Sequence, residues 1–173
     1  MPRILERAME MGLASDAVIA QSEAQRVDLW GSRELISESQ KFEGGSIKHD
    51  LAVPVAAVPQ FMREAEAAVV AYMPGARVIA FGHLGDGNIH FNVSQPPGMD
   101  KSAYLGQWDA MNDVVFQVVM RFGGSISAEH GIGRLKRHRM TAIKSPVELE
   151  MMRGLKRLFD PLNILNPGKV LPD

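Results

Sequence analysis

Apolar residues recur along this chain at two spacings, and the spacing identifies the element each stretch forms. Residues 3–11, closed by Gly12, read as a short helix with a glycine stop. Ser15 can cap a second helix running to about residue 40. Residues 46–53 alternate, with Ile47, Leu51 and Val53 on one face and Ser46, Lys48 and Asp50 on the other, which is a half-buried strand. Over residues 58–72 the apolar positions Phe61, Met62, Ala65, Val69 and Tyr72 return to helical spacing until Met73-Pro74-Gly75 breaks it. Residues 77–81 and 88–94 read as strands joined by Gly85-Asp86-Gly87, a hairpin. In the second of these, Ile89, Phe91 and Val93 face a core, and Asn88, His90, Asn92 and Ser94 form a polar surface.

Asp100 caps a helix whose stripe is Leu105, Trp108, Met111, Val115, Val118 and Phe122, ended by Gly123-Gly124. A loop follows. Ser145 and Glu148 have capping-box spacing around Pro146, and the helix they open is expected to bury Leu149, Met152, Leu155 and Phe159 before Asp160-Pro161 stops it. The tail, residues 163–173, reads as extended. This order of elements predicts an α+β domain, an antiparallel sheet with helices on one face and a polar face left open.

Composition narrows what such a domain does. At 173 residues, with 46% hydrophobic and 23% charged side chains, the chain suits one soluble domain, residues 1–173. Nineteen basic against 20 acidic side chains create no field that would draw it to nucleic acid or anionic lipid. No apolar run reaches the roughly 18 to 20 residues of a membrane span, and the N-terminus lacks a secretory pattern, so a cytoplasmic protein is expected. There is no cysteine, so any metal site must use imidazole and carboxylate.

The densest polar chemistry is GHLGDGNIH, where His83 and His90 flank a glycine-rich turn. A lone histidine among apolar residues is usually a core residue, but two across one tight turn can reach a single spot. His83 shares the parity of Ile79 and Phe81, so it is expected to meet His90 only if the strand ends or bulges at Gly82. The second cluster is SISAEHGIG, with Glu129 beside His130 between glycines that permit close backbone approach. Its bland reading is a solvated loop. Neither HExxH, a phosphate-binding GxxxxGK[ST] nor a dinucleotide GxGxxG is present. Together, His83, His90 and Glu129 would supply three protein ligands to a divalent ion with a position left open, and His130 would remain free as a general base. Asp86 and Asn88 most simply shape the turn.

GHLGDGNIH, SAEHGIG and the closing NPGKVLP resemble the C-terminal domain of FAD-linked oxidases, whose members oxidise D-lactate, D-2-hydroxyglutarate or glycolate. LWGSRELIS and IKHDLAVP are similar to substrate-side motifs of the D-2-hydroxyglutarate branch. The resemblance implies a ferredoxin-like cap domain without the FAD-binding domain, its opening strands apparently missing. It makes His83, His90 and Glu129 the metal ligands, with zinc the first choice, and His130 the catalytic base. It also implies that Arg33, Ser37, Lys48 and Asn88 contact substrate and that Asn166 and Lys169 lie near the flavin. Hydride would pass from the 2-hydroxyacid to FAD held mainly by another domain or subunit. Two other functions fit part of the pattern: a non-catalytic metal or hydroxyacid binding module with no flavin partner, and a metal-assisted hydrolase. Surface left uncovered by missing strands would favour homo-oligomers.

Overall fold

A computed structural model describes residues 2–83 and 85–172, apart from the side chains of Ser37 and Lys41. It divides into two compact units, Met1–Phe42 and Glu43–Asp173. Among the described residues no helix is long and apolar enough to cross a membrane.

The first unit is helical: α1 (Pro2–Glu10), α2 (Glu23–Glu34) and α3 (Ile36–Ser39). Gly12 takes a left-handed φ of 66° just past α1, the expected stop. The second helix starts later than Ser15. Asp16 accepts the Ala17 N–H at 2.7 Å, a local bond that competes with helix. Ser22 is the cap instead, its hydroxyl accepting the Gln25 N–H at 3.2 Å while the Gln25 amide oxygen accepts the Gln21 N–H at 2.7 Å.

The second unit runs β1 (Ser46–Ala52), α4 (Val58–Tyr72), β2 (Arg77–His83), β3 (Asn88–Ser94), α5 (Lys101–Leu105), α6 (Trp108–Arg121), α7 (Met140–Ile143) and α8 (Pro146–Phe159). The sheet has order β1-β3-β2 and is antiparallel throughout. This is a βαββα arrangement, one strand short of the split motif of ferredoxin-like folds, and Ser125 bridges to Ala52 on the otherwise open edge of β1. Helices α4 and α6 cover one face. Ile47, Leu51, Phe91 and Val93 of the sheet and Phe61, Val69, Met111 and Val115 of the helices are wholly buried there. At roughly 1.5–3 kcal/mol per large apolar side chain, this layer is the main source of stability.

The hairpin differs from expectation in a way that matters for the site. β2 continues through Gly82 to His83 without a bulge, pairing Phe81 with His90 and His83 with Asn88. Directly opposed residues share a face, so Phe81 and His83 stand on the polar side with His90, while Val78 and Ala80 turn to the helices. The parity argument had assigned the wrong face of β2 to the core. Gly82 is required for packing rather than for a bulge, since a Cβ there would lie 2.1 Å from the Asn88 carbonyl oxygen.

Three further corrections concern a helix break, an uncovered stripe and the tail. The helix after Asp100 breaks at Gly106, giving α5 and α6. On α8, Leu149 is buried as expected, but Leu155 and Phe159 are 56% and 77% exposed. The capping box of Ser145 and Glu148 is present and Met152 is half-buried. The tail is turned rather than extended: Asn163, Asn166 and Val170 have φ of 51°, 48° and 64°, and Asp160 accepts the N–H groups of Ile164 and Leu165 at 2.9 Å each.

Two predictions follow from this packing. Gly87 has φ 74°, and a Cβ would sit 2.0 Å from the Val53 carbonyl oxygen, whereas Gly85 faces open space. In urea unfolding, Gly87→Ala should cost roughly 2–4 kcal/mol and Gly85→Ala within about 0.5 kcal/mol. His49 is buried between Phe91 and Phe116, its Nδ1 2.7 Å from the Phe91 carbonyl oxygen. Burial pulls its pKa down to about 4, helped by Lys136 and Arg139 and opposed by the Phe91 bond. An unfolded histidine titrates near 6.5, so below that pH the unfolded chain takes up a proton the folded one refuses. Stability is therefore full above pH 6.5 and falls toward pH 4. The loss attributable to His49 between pH 7 and pH 5 should be about 2 kcal/mol, absent in His49→Leu.

Candidate metal centre

The polar face of the sheet is ordered in rows. Asp50 of β1 stands opposite His90 of β3, which stands opposite Phe81 of β2; the next row is Ala52, Asn88 and His83. The loop after α6 lies along the free edge of β1. Ala52 and Ser125 exchange N–H to carbonyl bonds of 3.0 and 2.7 Å, and Gly124 lets the chains approach, since a Cβ there would meet the Ala52 oxygen at 2.4 Å. Lys136 ties down the same loop, its Nζ donating to the Ile126 carbonyl at 2.6 Å. Val170 of the tail donates its N–H to Gly133 at 2.8 Å.

Asp50 organises the loop between these ties. It is 3% exposed, and its Oδ2 accepts the Ser127 hydroxyl at 3.1 Å and the N–H groups of Ala128, Glu129 and His130 at 3.0, 3.0 and 2.9 Å. Oδ1 takes a further contact from the Glu129 N–H at 3.2 Å. Burial alone would raise this carboxyl's pKa, but the four donors together outweigh it and hold the pKa below its ordinary value.

The Glu129 side chain projects from the loop toward both histidines. Its Oε1 is 3.8 Å from His83 Nδ1 and its Oε2 is 4.0 Å from His90 Nε2. Asn88, 6% exposed, donates its amide N–H to Glu129 Oε1 and leaves its own Oδ1 buried without a partner. The His130 ring lies 6.0 Å from the His90 ring, and its Nδ1 is 4.0 Å from Asp50 Oδ2. A second grouping overlaps this one, because ligating atoms of Asp50, Glu129 and His130 all fall within 4.8 Å of one another. The two differ in availability. Asp50's oxygens are filled by loop donors, whereas Glu129, which accepts from Asn88 through Oε1, has an imidazole nitrogen within 4.0 Å of each of its oxygens. Two imidazoles and a carboxylate also suit a borderline divalent ion. By donor type the set could hold such an ion, while the described side chains whose ligating atoms all lie within 4.8 Å of one another are Asp50, Glu129 and His130.

The other expected residues lie in several places. Lys48, on the same face as Asp50, is exposed and lines a cleft of about 300 Å³ with Asp50, His130 and Lys136. Arg33 belongs to the helical unit, its guanidinium carbon 5.3 Å from the Trp30 ring centre. Ser37 is in α3, and its side chain lies outside the described residues. Asn166 and Lys169 are exposed and border a shallow cavity of about 360 Å³ between α8 and the tail. Sequence reasoning missed Asp50 and Lys136. Alternation put Asp50 on the polar face, but no local signal shows that a loop almost 80 positions later covers it.

A three-stranded antiparallel sheet with an imidazole–carboxylate cluster on the face opposite α4 and α6 defines an α+β domain that presents a polar surface. Residues 3–170 match the family model for FAD linked oxidases, C-terminal domain. The chain is 42% identical over 165 residues to a D-2-hydroxyglutarate dehydrogenase of Stutzerimonas stutzeri, covering 95% of this chain and 35% of that protein. It is 39% identical to a probable mitochondrial D-2-hydroxyglutarate dehydrogenase of Oryza sativa subsp. japonica, covering 97% of this chain and 29% of that one. It is 36% identical to the mitochondrial D-2-hydroxyglutarate dehydrogenase of Bos taurus, covering 97% and 30%. The chain belongs to the FAD-linked oxidase C-terminal domain family. It spans about a third of the length of the curated relatives it matches.

Proposed function

We propose that this chain is the substrate-side, metal-carrying part of a flavin-dependent dehydrogenase that oxidises a D-2-hydroxyacid, D-2-hydroxyglutarate first among them, to the 2-oxoacid. One observation carries the reading: the Glu129 carboxylate sits between the His83 and His90 nitrogens, with a separate imidazole, His130, beside them. The ligand set is His83, His90 and Glu129, and zinc is the ion best matched to it. Bound there, a divalent ion would polarise the substrate's 2-hydroxyl, and FAD would take the hydride.

The chain's own residues then have distinct tasks. His130, exposed on its loop, removes the hydroxyl proton as general base. Lys48 holds a substrate carboxylate from the cleft beside Asp50, and Arg33 and Ser37 are assigned substrate contacts on the family resemblance alone. Asn88, bonded to Glu129, has an unpartnered amide oxygen that would accept from a substrate hydroxyl. Asn166 and Lys169 contact the flavin. We read the protein as cytoplasmic, with the FAD-binding part and a small hydroxyacid as partners, possible self-association, and no role for nucleic acid; the names of the plant and mammalian relatives include a mitochondrial location.

Elemental analysis of the flavin-loaded protein should find about one zinc per chain in the wild type and almost none in His83→Ala. In His130→Ala, zinc content should be retained while turnover of D-2-hydroxyglutarate falls roughly 10²–10⁴-fold. Wild-type turnover in that variant removes the base assignment. A preparation with metal but no flavin absorbance in any complex would instead favour a non-catalytic binding module.

A further inference from the structure

We propose that Asp50 is a positioning residue, whose buried carboxylate holds residues 127–130 in the one backbone path that presents Glu129 and His130 to the two histidines of the hairpin. The roles of Glu129 and His130 rest on the reading above; the positioning itself rests on the loop. Among the described residues, the N–H groups of residues 127–130 make no backbone–backbone hydrogen bond. Those of 128, 129 and 130 converge on Asp50 instead, with the Ser127 hydroxyl. Successive N–H groups closing on an anion form a nest, and here the anion is supplied by the chain itself.

Dependence runs both ways. A carboxylate 3% exposed needs full hydrogen bonding to remain charged. A loop without regular structure needs a strong acceptor to keep one conformation, and charge-assisted bonds are about twice as strong as neutral ones. Asp50 can serve because β1 fixes it: its strand neighbours Ile47 and Leu51 are wholly buried, and it stands directly opposite His90. The strand that positions the loop is therefore hydrogen-bonded to the strand carrying one of the histidines. An amide in this place could keep its oxygen toward the four donors on Oδ2, but it would turn its NH2 toward the Glu129 N–H that now reaches Oδ1 and would lose the charge that strengthens every bond.

The test uses the flavin-loaded protein and three variants, Asp50→Asn, Asp50→Glu and Ser127→Ala, followed by amide hydrogen exchange, zinc affinity in competition with a chelator, and kcat and KM for D-2-hydroxyglutarate. In the wild type the amides of 128–130 are expected to be protected. In Asp50→Asn that protection is lost while the sheet keeps its own, zinc affinity weakens roughly 10–100-fold, and kcat falls at least about tenfold with KM changed under about threefold. Asp50→Glu recovers part of each, and Ser127→Ala, which removes one donor, changes each by less than about threefold. Folded Asp50→Asn with wild-type zinc affinity and kcat overturns the proposal. So does complete loss of zinc in Asp50→Asn, equal to that of His83→Ala, because it makes Asp50 a ligand. Should Asp50→Asn fail to fold, unprotected amides at 128–130 in the wild type overturn the proposal and protected ones support it. A wild type that binds no zinc ends the metal reading alone, with Asp50 still decided by exchange and kcat.

Discussion

A buried negative charge is one of the most expensive things a small domain can contain, and here a single one shapes the functional face. The Asp50 carboxylate is almost completely withdrawn from solvent and is compensated by four donors from one irregular loop. Those donors have no other use within the loop, so strand and loop stabilise each other or neither keeps its geometry. From this follows the separation of labour between neighbouring carboxylates. Asp50 is spent on the backbone, and Glu129, one of the residues whose backbone it holds, keeps its oxygens directed at His83 and His90.

The sheet makes that economy possible through its register. On one face the rows are apolar and covered by α4 and α6; on the other, Asp50, His90 and Phe81 form one row, and Asn88 and His83 belong to the next. A slip of one residue in β3 would turn Asn88 and His90 toward the core, so the burial of Ile89, Phe91 and Val93 also fixes the polar centre. Glycines act at the points of closest approach. Gly87 closes the hairpin turn against Val53, and Gly124 brings the loop onto the edge of β1.

Much of this was legible in the pattern of residues. The strand at residues 88–94, the helix at 58–72 and the Ser145 cap match expectation because each is encoded locally, by alternation, by helical spacing or by a capping pair. His83 and His90 could be singled out because they flank one glycine-rich turn, whereas Glu129, in a loop, was indicated by the family resemblance; the structure brings its carboxylate within 4.0 Å of both rings. What failed required tertiary knowledge. The face of β2 was misjudged because Ile79 and Phe81 are apolar yet stand with His90, where Phe81 packs 5.3 Å from its ring. The exposure of Leu155 and Phe159 was invisible because an amphipathic stripe looks the same whether or not anything covers it.

The cleft beside His130 shows how charge is balanced around the centre. Lys136 is half-buried, and loss of water lowers its pKa while nearby Asp50 opposes that shift. Its ammonium donates to the Ile126 carbonyl and lies 6.0 Å from the Phe116 ring, so its charge is directed at the loop's base. Arg139 is similarly engaged, its guanidinium paired with Asp109 and Asp113 and 5.2 Å from the Phe116 ring centre. Lys48, by contrast, has an exposed ammonium on the same face as Asp50. Of the four cations lining this cleft, Lys136 and Arg139 are thus engaged in holding structure, while Lys48 and Arg134 are exposed and give its mouth a positive field.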